Sequence, residues 1–166
     1  GYRDALLDGP RIPEDYDFLL RSLAAGHRWG IVPRRLVAWR LHTSSHSRTD
    51  DAYSLDAFAQ LKAAHLADTF LRTSGRYILW GHGPTGRSLR KALAHHDRHP
   101  NHIIEVHPGR IGQALHGAEV VPPEELSAIP KRPLLAAVSG ETPRAQIRTF
   151  LAERGWSDGR DFVCTA

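Results

Sequence analysis

The sequence predicts an α/β protein, and three observations predict it. Tyr16, Leu19, Leu20, Leu23 and Ala24 fall at i, i+3, i+4, i+7 and i+8, one face of an amphipathic helix near the start. From Tyr77 onward, apolar runs of strand length alternate with helical patterns, the mark of a parallel α/β layer fold. Between the first such strand and helix stands Gly81-His82-Gly83-Pro84-Thr85-Gly86, a glycine-rich turn of the kind that joins the two.

The elements follow in order. Gly26 is placed to end the first helix as the residue beyond its C-cap. Trp29–Val32 and Leu36–Trp39 read as short strands separated by Pro33, and the polar run Thr43–Asp50 breaks regular structure. A long helix is expected from Asp51 to Arg72, with Leu55, Phe58, Ala59, Leu66 and Phe70 on its apolar face. Thr73-Ser74-Gly75 reads as a hinge, which gives two domains, 1–73 and 74–166. In the second, Tyr77–Trp80 is a buried-type strand, and the helix after the glycine turn runs to Ala94 with Gly86, Leu89 and Leu93 inward. Ile103–Val106, Val120-Val121, Leu134–Val138 and Phe162–Cys164 are further strands. Pro122–Leu126 starts a helix, and another is capped by Thr142 with Pro143 at its first position. That last helix turns Ile147, Phe150 and Leu151 inward.

Composition narrows the function. At 41% hydrophobic and 24% charged residues, the 166-residue chain has the balance of a packed domain rather than a disordered one. Cys164 is the sole cysteine, which excludes an internal disulfide and a cysteine-based zinc site. The net charge of +4 comes from scattered arginines whose longest runs are pairs such as Arg34-Arg35, so a nucleic-acid partner is not expected. Small anions, phosphates above all, suit such a chain. The longest apolar runs are too short to cross a bilayer and the start is not a signal segment, so no transmembrane segment is expected. The expected location is the cytoplasm, with the inner face of the membrane included. The chain begins at Gly1 and has no methionine, and nothing before the first helix would cradle a nucleotide. It therefore reads as the tail of a larger enzyme.

Two constellations carry chemistry. Glu14 and Asp15 open the first helix, where free amides and the helix dipole favour an ionised carboxylate, and a carboxylate beside a hydroxyl acts as general base. Acidic residues also start helices with no catalytic duty, so both readings stay open here. At the second place, Gly81, Gly83 and Gly86 match the G-x-G-x-x-G of dinucleotide sites in its required strand-turn-helix context. Glu105 ends the next strand about 20 residues on, where a ribose-binding acid stands in such sites. Arg87 adds charge, and Ser139–Thr142 begins a second loop at the same strand ends. Glycines there also serve turn geometry alone. The histidine-dense run His95–His102 reads as a solvated loop rather than a metal site.

The stretch "EDYDFLLRSLAAGHRWGIVPRRLVAWRLHTSSHSR", with its lead-in Gly1–Leu7, resembles the end of the catalytic domain in family 2 glycosyltransferases of the GT-A fold, over about residues 1–50. That resemblance implies Asp15 as the base that deprotonates an acceptor hydroxyl, with Glu14 orienting the acceptor. It implies His42 as a contact to the donor diphosphate or as a ligand of its metal, with Arg40 balancing charge and His46 a weaker claimant. A divalent metal, Mg or Mn, a nucleotide-sugar donor and a hydroxyl acceptor are implied for the full-length enzyme. Because the family's Asp-x-Asp and nucleotide-binding βαβ unit lie upstream of this region, the 166 residues alone are expected to be inactive. The remainder resembles the Rossmann-like C-terminal extension of some bacterial members, through "WGHGPTGRSLRKAL", "IIEVHPGRIGQALHGAEVVPPEEL" and "LLAAVSGETPRAQIRTFLAERGW". It departs at His82, where a small residue is usual, and at His107, where an acid is usual, and an imidazole inside the glycine loop is expected to crowd a pyrophosphate. The N-terminal domain of certain sugar O-acyltransferases is also similar, and there it binds a nucleotide sugar. The expected fold is thus a C-terminal GT-A fragment followed by a small Rossmann-like parallel-sheet domain. The expected function is transfer of a sugar with inversion, for glycan or cell-surface polysaccharide synthesis. The alternative is a non-catalytic nucleotide- or nucleotide-sugar-binding or interaction module.

Overall fold

A glycine-ended helix is the first described element of the chain. The computed structural model describes residues 12–38 and 50–166, and within it the chain divides into two compact units, 1–61 and 62–166.

In the first unit, helix α1 (Glu14–Ala24) starts after Pro13 with Glu14, Asp15 and Asp17 in its first turn, the end where the dipole stabilises carboxylates. Gly26 takes φ +83°, its N–H reaches the Leu23 carbonyl at 3.0 Å and the His27 N–H reaches Ser22 at 3.0 Å. This is a Schellman ending, as the position of Gly26 predicts. The Tyr16 ring meets Phe58 edge-on at 5.4 Å. The two short strands expected after Gly26 do not form among the described residues: none of residues 27–38 is in a strand, and Trp39 lies outside the described residues. A strand needs a partner ladder, and the described residues of this unit offer none.

The long helix expected over 51–72 is two pieces. Asp50 caps a 3₁₀ turn, Asp51–Tyr53, by accepting the Ala52 N–H at 3.0 Å, and Ser54 is extended before helix α2 (Leu55–Asp68) begins. The buried positions of α2 are Ala59, Ala63, Leu66 and Ala67, whereas Leu55, expected inside, is exposed. From Lys62 the helix belongs to the second unit.

That second unit is a six-stranded sheet of mixed but mostly parallel strands. Strands β1 (Arg76–Trp80), β2 (His99–Ile104), β4 (Ala118–Val121), β5 (Leu134–Ala136) and β6 (Phe162–Cys164) are parallel, and the short β3 (Ala114–Leu115) pairs antiparallel with β4. The spatial order is β3-β4-β2-β1-β5-β6, so chain order reverses between β1 and β5, the doubly wound arrangement. Helix α3 (Pro84–Ala94) links β1 to β2, and α4 (Glu141–Ala152) links β5 to β6. One sheet face packs Ile78, Trp80, Ile104 and Leu134 with Ile147 and Leu151 of α4 and with Leu126. The alternate residues Tyr77, Leu79, Ile103 and Leu135 point the other way and are equally buried, as both-face burial of a parallel sheet requires.

Several boundaries differ from the sequence reading. Strand β2 begins at His99 rather than Ile103, so only the first half of the histidine-dense run is loop. The helix expected at Pro122 is a five-residue 3₁₀ turn, Pro123–Ser127, with two prolines at its entry. Helix α4 begins at Glu141 after Gly140, whose φ of +102° makes the turn, and Thr142 lies inside the helix instead of capping it. The β3–β4 hairpin turns at His116-Gly117, both with positive φ, the pairing a tight two-residue turn demands.

Helix α3 presses so closely on the end of β1 that a Cβ on Gly86 would lie 2.0 Å from the Gly81 carbonyl oxygen. Gly86→Ala is therefore expected to destabilise the chain by about 3 kcal/mol or more, since backbone must move to admit the methyl. Urea denaturation of the two proteins measures this, and a loss under about 1 kcal/mol contradicts the contact.

Candidate functional site

The three glycines of the turn do three different jobs. Gly81 has φ +92°, and a Cβ there would stand 2.6 Å from Val138 Cγ2, so it makes the sharp turn out of β1. Gly86 allows the close packing just described. Gly83 is the N-cap of α3, and a Cβ on it would meet nothing within 4 Å, so its missing side chain leaves open space beside the first helical turn. The first intrahelical bond, Arg87 N–H to Gly83 O at 2.9 Å, lies one turn in. The amides before it point outward from a dipole-positive helix end, with Pro84 contributing no N–H.

This turn borders a cavity of about 710 Å³ at the carboxyl ends of the strands, where chain order reverses. Backbone bonds across the sheet hold its rim: Gly81 N–H to Ile104 O at 2.9 Å and Ala137 N–H to Trp80 O at 2.8 Å. Ligands of open α/β sheets bind at this kind of place, and the volume is in the range of small-molecule sites.

Glu105 lies on the cavity wall beside the glycine turn, as its position at the strand end predicts. Arg110 donates to its Oε2 at 3.0 Å, and the Val106 N–H donates to its Oε1 at 3.0 Å. Arg110 also donates to the His82 carbonyl at 3.3 Å, which ties the 105–110 loop to the glycine turn. Sequence reasoning missed Arg110, because its pairing depends on a turn, Pro108–Arg110, that brings it back toward Glu105. His107 caps that turn, its Nδ1 accepting the Gly109 N–H at 3.2 Å, the task an acid at this position would perform. Ser139, from the second loop expected at these strand ends, also lines the cavity, and its hydroxyl lies 3.3 Å from that of Thr85.

His82 is buried, at 5% exposure, with its ring 5.9 Å from that of His116. The turn thus accommodates the imidazole by packing it beside the β3–β4 hairpin. Its Nε2 has no hydrogen-bond partner.

In the first unit, Asp15 is exposed and its Oδ1 accepts the Tyr16 N–H at 2.7 Å. Glu14 is held: the Tyr53 hydroxyl donates to its carboxylate at 3.1 Å. Burial, and then this bond to Glu14, push the Tyr53 hydroxyl pKa up. Arg40, His42 and His46, which the resemblance assigns to donor and metal, lie outside the described residues. Among the described residues, no group of three or more histidine, cysteine, aspartate or glutamate side chains could hold a metal ion. No described helix is long and apolar enough to cross a membrane.

Burial, reinforced by Arg90, His116, Arg110 and Arg87, lowers the His82 pKa below the ordinary imidazole range. An unfolded imidazole takes its proton near pH 6.5, the folded one only at lower pH. In that window the unfolded chain binds more protons, so the stability from a neutral His82 is complete above about pH 6.5 and is lost as pH falls through the folded value. His65, lowered chiefly by burial, adds to the same window. The expected outcome is therefore a smaller stability loss between pH 7.5 and 5.5 in His82→Ala than in wild type, measured by urea denaturation at both values. Equal losses contradict the assignment.

Comparison with known proteins returned no match to any family model, to any curated protein or to any solved structure.

Proposed function

We propose that the chain is the C-terminal part of a bacterial inverting glycosyltransferase whose second unit, residues 62–166, binds a nucleoside diphosphate at the Gly81–Gly86 turn. One observation carries the binding assignment: the open space at Gly83 lies between a helix N-terminus and the rim of a 710 Å³ cavity, at the point where strand order reverses. Glu105 beside it suits a ribose diol.

The transferase assignment rests on the resemblance of residues 1–50 and is supported by the contrast within the acidic pair. Glu14 is anchored by the Tyr53 side chain, while Asp15 stands exposed in the first turn of α1, where one of its oxygens accepts a backbone N–H, and an exposed carboxylate can take a proton from an acceptor hydroxyl. Trp29, Ile31, Val32, Leu36 and Val37 are all exposed, Ile31 by 94%, which suits a segment that other parts of a catalytic domain cover. Arg40 and His42 would face the donor diphosphate, with a divalent metal among the full-length enzyme's cofactors. The product glycan would belong to a surface polysaccharide assembled on the cytoplasmic side. The second reading, a non-catalytic nucleotide-binding or interaction module, is favoured by the same Tyr53–Glu14 bond, because a carboxylate engaged in structure has no need of a substrate.

Two variants test these assignments separately. In the full-length enzyme, Asp15→Asn is expected to lower transfer by about a hundredfold or more with folding intact, the usual range for loss of a general base. Unchanged transfer removes Asp15 from the reaction. Gly83→Asp keeps a good N-cap, so the melting temperature should hold or rise, while a carboxylate in the open space weakens nucleotide binding by about tenfold or more. Equal binding by calorimetry shows that phosphate does not approach there.

A further inference from the structure

His82 borders the cavity and precedes Gly83, where the diphosphate would seat, yet the residue is buried. Its ring packs 5.9 Å from that of His116, and its Nε2 has no hydrogen-bond partner among the described residues. A proton added at that nitrogen therefore breaks no existing bond. The charges on the elements packed around it are mostly positive: Arg87 and Arg90 come from α3, Arg110 from the 105–110 loop and His116 from the β3–β4 hairpin. Two of them converge on His82 itself, Arg110 donating to its carbonyl at 3.3 Å and Arg87 at a long 3.5 Å. The acid tied to the same arginine, Glu105, is already engaged by Arg110 and by the Val106 N–H.

Burial first, and these cations second, keep the imidazole neutral in the chain by itself. A bound diphosphate reverses the balance. Phosphate on the amides beyond Gly83 brings negative charge to the residue beside His82, and an opposite charge within about 4–6 Å favours the protonated ring.

We propose that the site takes up its ligand together with a proton: His82 gains one from solvent as the diphosphate seats, and the charged ring then helps to hold the phosphates. This rests on the reading that a nucleoside diphosphate binds at the turn, and it adds regulation of that site by pH. The sign follows from linkage. The complex binds more protons than the free chain, so affinity rises as pH falls through the bound-state midpoint of His82 and levels off below the free-state one. Arg87 and Arg110 stay charged throughout, so they add affinity without pH dependence.

Histidine-resolved NMR of the 166-residue chain, free and saturated with ADP, tests this. The His82 ring signals are assigned through bonds and checked by their loss in His82→Gln. The His82 midpoint is expected to rise by at least about one pH unit on saturation, equivalent to a tenfold gain in affinity. Calorimetry between about pH 7.5 and 5.5 gives a second readout: ADP binding should strengthen more in wild type than in His82→Gln. The terminal phosphate of ADP titrates alike with both proteins, so the difference belongs to His82. Three results overturn the proton coupling while nucleotide binding stands: an unchanged His82 midpoint, a ring still neutral near pH 5 in the saturated protein, or equal pH dependence in the two proteins. No ADP binding at any of these pH values overturns the nucleotide reading as well.

Discussion

The approach of Gly86 to the Gly81 carbonyl is the contact on which the second unit depends. It brings the start of α3 against the end of β1, closer than any side chain at residue 86 would permit. From it follow the sharp exit from β1 at Gly81, the outward aim of the first helical amides and the cavity beside them. The sheet supplies the other half of the geometry. With β2 on one side of β1 and β5 on the other, the loops after all three strands diverge from a common rim. Backbone bonds from Gly81 and Ala137 hold that rim.

Much of this unit was legible because its signals are local. The strand, glycine turn and helix over 76–94 follow from apolar runs, three glycines and one inward helix face, all within some twenty residues. What escaped depends on contacts between segments distant in the chain or on fine turn chemistry. The Arg110–Glu105 pair needs the 108–110 turn, and the β3–β4 hairpin rests on a His-Gly pair in place of the commoner Asn-Gly. Thr142 fits a cap by type, but Gly140 provides the positive φ that the end of the 137–140 loop requires, so the helix starts earlier.

The departures at His82 and His107 also take physical form. His107 caps the 108–110 turn through a ring nitrogen. His82 is buried against the hairpin beside His116, at the cost of an unpartnered nitrogen and a lowered pKa. In the first unit the legible part is α1 with its acidic start and Schellman end. Residues 29–38, strand-like by composition, form no strand and are exposed, because pairing is a property of two segments, not one.

The central claim is that phosphate meets the chain at the glycine turn, and an amide-resolved NMR titration of the 166-residue chain with ADP tests it most directly. The largest shifts are expected at Gly83, Thr85 and Gly86, with Glu105 following as the ribose seats. Shifts centred elsewhere in the chain, or none at millimolar ADP, contradict it.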